Sequence, residues 1–249
     1  MRGKPTYKIE FVEGLAREPA SGRRELEPTE IVVALCRPSE PAVSEQRSVL
    51  MGLLSDEERQ RLTRFHFERD RVLFLVAHAL LRITLSRYAN IDPRAWQFRT
   101  GSYGRPEIAD PRSRLRFSLS HTRGLAACAI VLDRDIGLDV EHISRDVPLD
   151  VAESSFSSRE RSDILGAYAT VRAKLFLEYW TLKEAYIKAR GVGMSLPLDQ
   201  FSFCKDPGGV WRIVLEQPLC DDPERWQFWS WQVSRNHQVA LAIGHAGDP

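Results

Sequence analysis

Two segments of this chain follow one plan. Phe117 to Ile130 reads FSLSHTRGLAACAI and Trp231 to Ile243 reads WQVSRNHQVALAI. Each is a strand, a polar turn and an apolar strand, and each comes after a long helical pattern. Repetition of helix and then hairpin constrains the fold more than any single residue does. It predicts an α+β protein of two related halves. At 249 residues each half is long enough to bury a core of its own.

Local patterns place the elements. Ile31 to Leu35 is a first strand. Ser55-Asp56-Glu57-Glu58 opens a helix, with Ser55 as N-cap. Helical spacing of Val72, Leu73, Val76, Leu80 and Ile83 carries that helical stretch to Tyr88, with a break near Phe65 to Glu68. Arg116 to Ser120 and Leu125 to Leu132 form the first hairpin, and Ile136 to Ile143 is a further strand. Helices are expected over Ser157 to Tyr168 and Val171 to Arg190, the second stopped by Gly191 and Gly193. Strands are then expected at Gln200 to Cys204, Val210 to Leu215, Trp226 to Val233 and Gln238 to Ile243. Residues 1–28 mix Arg, Glu, Pro and Gly with little periodicity and read as a loose extension. The halves are then 29–136 and 137–246, with a ligand site expected in the cleft between them.

Charge excludes some classes. Lys and Arg number 35 against 34 Asp and Glu, so the chain as a whole is no electrostatic binder of nucleic acid or of a membrane. The four cysteines, Cys36, Cys128, Cys204 and Cys220, form no CxxC pair, which argues against zinc and for free thiols in a reducing compartment. No apolar run is long enough to span a bilayer, and the N-terminus lacks the apolar core of a signal peptide. A cytoplasmic protein is expected.

Chemistry concentrates in two places. Gly137-Leu138-Asp139-Val140-Glu141 sets two carboxylates at i and i+2 on a strand, hence on one face. Trp180 to Lys188 (WTLKEAYIK) adds Glu184 and Lys188 at i and i+4 on a helix, with Lys183 pointing elsewhere on it. Taken singly, these are a solvated strand face and a surface ion pair worth about 0.3–0.5 kcal/mol. Together, three acids suit a hard divalent cation, and lysines beside them suit phosphate. Ser120-His121-Thr122 closes a strand in a turn, with nothing of a nucleophile elbow around Ser120. Gly101 to Pro106 is a loop whose two glycines would let backbone approach a ligand beneath Arg105. Arg61, Arg64, Arg69 and Arg71 make a basic cluster on the first long helical stretch.

Gly104-Arg105-Pro106, Phe117 to Thr122, Gly137 to Glu141 and Trp180 to Lys188 occur in that order. In this they resemble the motifs of the 4′-phosphopantetheinyl transferases: Gly-Lys-Pro, Phe-x-x-Ser-His-Ser, Gly-x-Asp-x-Glu and Trp-x-x-Lys-Glu-Ala/Ser-x-x-Lys. The segment Gly191 to Asp199 is also similar to the family's segment after the helix. The likeness covers roughly residues 45–245 and is to the larger monomeric type with two pseudo-symmetric halves. It implies a long helix packed on a small, mostly antiparallel sheet in each half.

The resemblance implies transfer of the phosphopantetheine arm of coenzyme A to a serine of an apo acyl or peptidyl carrier protein, with release of adenosine 3′,5′-bisphosphate. The carrier would serve fatty acid, polyketide or nonribosomal peptide synthesis, with lysine biosynthesis a further pathway. By the family pattern Asp139, Glu141 and Glu184 would bind Mg²⁺, with Mn²⁺ as an alternative. Glu184 would deprotonate the carrier serine, and Lys188 would hold the diphosphate and assist the leaving group. Ser120 and His121 would contact the nucleotide. Arg61, Arg64, Arg105 and Lys183 complete the expected coenzyme A contacts. No nucleic acid or membrane partner is expected. Two other readings of the same residues are a carrier-binding homologue without catalysis and a Mg²⁺-dependent coenzyme A diphosphate hydrolase. Arg105 stands where the family has lysine and Thr122 where it has a second serine. Leu73 stands where members often carry arginine, with Arg71 as the neighbouring replacement.

Overall fold

The computed structural model describes residues 7–13, 15, 24–38, 40–143 and 149–245. The chain divides into two compact units, residues 1–99 with 106–133 and residues 100–105 with 134–249.

The first unit carries β1 (Lys8–Glu13), β2 (Glu30–Cys36), α1 (Glu40–Leu53), α2 (Asp56–Leu62) and α3 (Glu68–Tyr88). A short ladder of β3 (Phe98–Thr100) and β4 (Pro106–Ile108) leads to β5 (Leu115–Thr122) and β6 (Leu125–Leu132). The sheet order is β1-β2-β6-β5, with β1 parallel to β2 and the other pairs antiparallel. β2 is buried along its whole length, as expected of a strand without polar alternation. Of the predicted apolar row of α3, Val72, Val76 and Leu80 join Val32, Ala34, Phe117, Cys128 and Ile130 in one core, while Leu73 is only partly buried, and the helix buries further faces besides. The helical break also falls where the sequence places it, between Leu62 and Glu68. Lys8–Glu13 corrects the expectation of a loose extension over 1–28, because its backbone pairs in register with Glu30 to Leu35. The rest of that expectation falls largely outside the described residues.

Ser55 caps α2 as predicted. Its hydroxyl accepts the Glu58 N–H at 3.2 Å, and the Glu58 carboxylate accepts the Ser55 N–H at 2.8 Å. The sequence does not show the rest of the Glu58 environment. His78 Nδ1 lies 2.7 Å from one carboxylate oxygen, and Arg82, only 1% exposed, donates two hydrogen bonds to the other. Burial pushes the Glu58 carboxyl up, but the His78 and Ser55 hydrogen bonds and the Arg82 charge override it and bring it from 4.5 to about 2. A folded-state value below the unfolded one stabilises above pH 4.5 and is lost as pH falls toward 2. The loss should reach about 3 kcal/mol. Urea midpoints measured from pH 6 to pH 2 should show this slope in the native chain and a flattened one in Glu58→Gln.

The second unit repeats the plan. β7 (Asp135–His142) leads into α4 (Leu149–Ser155), α5 (Ser158–Gly166) and α6 (Ala169–Arg190). Then come the hairpin β8 (Phe201–Lys205) and β9 (Trp211–Leu215), and the pair β10 (Trp226–Ser234) and β11 (His237–Gly244). The sheet order β10-β11-β7 is antiparallel throughout and mirrors β5-β6-β2 of the first unit. Helices of 21 and 22 residues occupy equivalent places, each succeeded by a small two-stranded ladder and then the hairpin. Two pseudo-symmetric α+β halves are therefore present. α6 ends at Gly191, whose φ of 65° is the left-handed cap that glycine accepts readily. Among the described residues, no helix is long and apolar enough to cross a membrane.

Candidate active site

α6 can lie directly on β7 because Gly137 has no side chain. A Cβ there would fall 1.8 Å from the Ala185 carbonyl oxygen and 2.5 Å from the Ala189 nitrogen. Gly137, Asp139 and Glu141 share one strand face by their spacing, so this contact aims both acids at the α6 side. Leu138 and Val140 face the other way and are fully buried. On α6, Ala185 and Ala189 make the close approach, and the adjacent positions Glu184 and Lys188 flank it.

The result is a compact charge cluster. Asp139 is 4% exposed, which rules out a solvated strand face. Its Oδ1 accepts from Lys188 Nζ at 2.6 Å, and the same ammonium donates to the Leu138 carbonyl at 3.2 Å. Burial raises the Glu184 carboxyl above its ordinary value; the Asp139 charge raises it further, and the Lys188 charge opposes both. Glu141 is half-buried on the same strand face. Among the described residues, no three His, Cys, Asp or Glu side chains stand close enough together to hold a metal ion as they are placed. The ammonium of Lys188 on Asp139 balances charge there. The donor set nevertheless fits a hard divalent cation: it is all carboxylate oxygen, and the Asp139 charge already disfavours ionised Glu184.

Over 209 residues the chain is 30% identical to the 4′-phosphopantetheinyl transferase Sfp of Bacillus subtilis (strain 168), covering 84% of this chain and 90% of that protein. The chain belongs to the 4′-phosphopantetheinyl transferase superfamily. The superfamily model matches residues 135–242, and the model for the N-terminal part of a 4′-phosphopantetheinyl transferase matches residues 40–131. The transferase HetI of Nostoc sp. is 36% identical over 149 residues, 59% of this chain and 63% of that one. The Bacillus subtilis transferase ffp is 32% identical over 179 residues, 72% of this chain and 77% of that one. A solved Chronobacterium ammoniagenes ACPS-CoA complex aligns with TM-score 0.35 and 18% identity over 46% of this chain and 98% of that chain, too slight a likeness to add to the argument. The protein is an enzyme, a 4′-phosphopantetheinyl transferase of the larger, Sfp-like type.

Within this transferase, the residues expected at the site fall in different places. Asp139, Glu141, Glu184 and Lys188 belong to the second unit, on β7 and α6. Ser120 and His121 end β5 in the first unit; Ser120 is buried and His121 exposed. Arg61 lies on α2 with its guanidinium 5.5 Å from the centre of the Phe74 ring, and Arg64 is exposed just beyond that helix. Arg71 is occupied with Glu68 at 3.0 Å, and Leu73 packs against the first unit's core.

Two expectations need correction. Lys183 is not a coenzyme A contact: it is 0% exposed, pairs with the equally buried Glu160 at 2.8 Å and donates to the Leu198 and Phe201 carbonyls. The physical reason is helical phase, since a lysine one residue before Glu184 turns into the second unit's interior. Arg105 does not extend from an open loop. Its guanidinium donates at 3.0 Å to both the Ala189 and the Ile136 carbonyl oxygens. Sequence reasoning also misses the part played by Gly137. A glycine carries no side-chain chemistry, and only the α6 backbone above it shows why the position must be empty.

Proposed function

We propose that this transferase moves the phosphopantetheine arm of coenzyme A onto a serine of an apo acyl or peptidyl carrier protein, with Asp139, Glu141 and Glu184 holding Mg²⁺. The observation that supports this most is the coupling of Asp139, Glu184 and Lys188 in one half-buried cluster on β7 and α6.

Glu184 takes the proton from the serine hydroxyl, which is a poor nucleophile without a carboxylate or metal-bound base beside it. The serine oxygen forms a bond to the β-phosphorus, and the bond from that phosphorus to the bridging oxygen breaks. Adenosine 3′,5′-bisphosphate leaves with the bridging oxygen. Lys188 exchanges Asp139 for the diphosphate and places a positive charge where the leaving oxygens gain negative charge. When bound, the divalent cation supplies further charge neutralisation on the phosphate oxygens. Ser120 and His121 hold the nucleotide, and Arg61 and Arg64 add positive charge for its phosphates.

The test is release of adenosine 3′,5′-bisphosphate with and without apo carrier. Release only with carrier is the expected result. Release without carrier would make the protein a coenzyme A diphosphate hydrolase. Carrier binding without release would leave a docking protein and no transferase.

A further inference from the structure

Arg105 and Lys188 grip neighbouring points of one strand. The Ile136 and Leu138 carbonyls are two residues apart on β7 and so lie on the same side. Arg105 donates to the first at 3.0 Å and Lys188 to the second at 3.2 Å. The other arm of the Arg105 fork reaches the Ala189 carbonyl at 3.0 Å, one residue beyond Lys188. That carbonyl is among the last four of α6, which have no partner within the helix, and a cation there is also favoured by the helix dipole. The fork sits over the helix cap: a Cβ on Gly191 would lie 3.3 Å from Arg105 Cδ and 3.4 Å from Nη1. The loop holding Arg105 is itself closed by the Gly101 N–H donating to the Arg105 carbonyl at 2.8 Å.

We propose that Arg105 is a positioning residue that ties the end of α6 to β7, keeping Glu184 and Lys188 aligned with Asp139 when Lys188 turns to the substrate. This rests on the roles given above to Glu184 and Lys188. In the free protein Lys188 and Arg105 each tie helix to strand through side-chain hydrogen bonds. Engagement of Lys188 with a diphosphate removes the Lys188 tie, and the planar fork of Arg105 then keeps the end of α6 on β7 beside the Gly137 contact. A lysine at this place has the charge but cannot span both carbonyls with a rigid fork.

Two variants test the proposal, Arg105→Met and the milder Arg105→Lys. Expected is a fall in kcat of about 10- to 100-fold for Met, with an intermediate fall for Lys, while KM for coenzyme A stays within about twofold. Selectivity for coenzyme A over 3′-dephospho-coenzyme A should stay at the native value. A raised KM with kcat preserved and that selectivity lost would overturn the proposal and make Arg105 a phosphate contact. A lowered Tm with kcat and KM both unchanged would overturn it too, leaving only a structural brace. An arm independent of activity is amide hydrogen exchange of the metal-free protein. Peptides covering residues 136–141 and 186–191 should exchange faster in Arg105→Met, and unchanged exchange there contradicts the tie even if the native chain transfers nothing.

Discussion

Glu184→Gln will lower the rate of phosphopantetheinyl transfer by about 10³-fold or more, equivalent to about 4 kcal/mol of transition-state stabilisation. The substitution keeps the shape of the side chain and removes both the proton acceptor and one carboxylate of the proposed cation site. Folding stability should move little or rise. Glu184 is half-buried beside the Asp139 charge, an arrangement unfavourable to the folded protein until a cation arrives. Loss of activity with stability retained is what separates a functional acid from a structural one. Transfer rate and Tm measured on the same preparation check this. A variant that keeps native turnover under saturating Mg²⁺ would remove Glu184 from the mechanism.

Lys183→Met will cost the fold about 3–5 kcal/mol while leaving coenzyme A recognition alone. Burial lowers the proton affinity of Lys183, and the charge of the equally buried Glu160 opposes that shift. Glu160 is held further by the Ser157 cap and by the Phe203 N–H at 3.0 Å. Removing the lysine strands that carboxylate and frees two carbonyl acceptors, Leu198 and Phe201. A chain of this size should lose roughly 10 °C in Tm. Glu160→Gln in the same chain should recover part of the loss, because the uncompensated charge is then gone. KM for coenzyme A in the folded fraction should match the native value. A tenfold rise in that KM without loss of Tm would restore Lys183 to the coenzyme A site.

These two neighbours on α6 show how far a sequence can be read. Period and order place both long helices, both hairpins and the repeat, because apolar spacing is local, and on α3 the spaced positions Val72, Val76 and Leu80 are buried in the core. The motif order also singles out Asp139, Glu184 and Lys188, and the fold gathers them on β7 and α6. Direction is harder to read. Helical spacing turns Lys183 away from Glu184 and Lys188 already in the sequence, but only the fold shows that it turns into the interior onto Glu160 while Lys188 stays beside Asp139. Arg105 misleads for a similar reason: a charged residue in a glycine loop suggests a ligand, whereas carbonyls of residues 31 and 84 positions away claim its fork. Glu58 is legible as a cap because Ser55 is three residues away, but its partners His78 and Arg82 are 20 and 24 residues distant. Strand β1 is easily passed over, since the alternation of Tyr7, Ile9 and Phe11 with Lys8 and Glu10 is short and the surrounding segment is rich in Arg, Glu, Pro and Gly.

The most direct test of the central claim is the intact mass of an apo carrier protein after incubation with this enzyme, coenzyme A and Mg²⁺. The account predicts a gain of one phosphopantetheine on the carrier, absent when EDTA is added and absent with Asp139→Ala or Glu184→Gln. An equal gain in the presence of EDTA, or with both acids replaced, would contradict it.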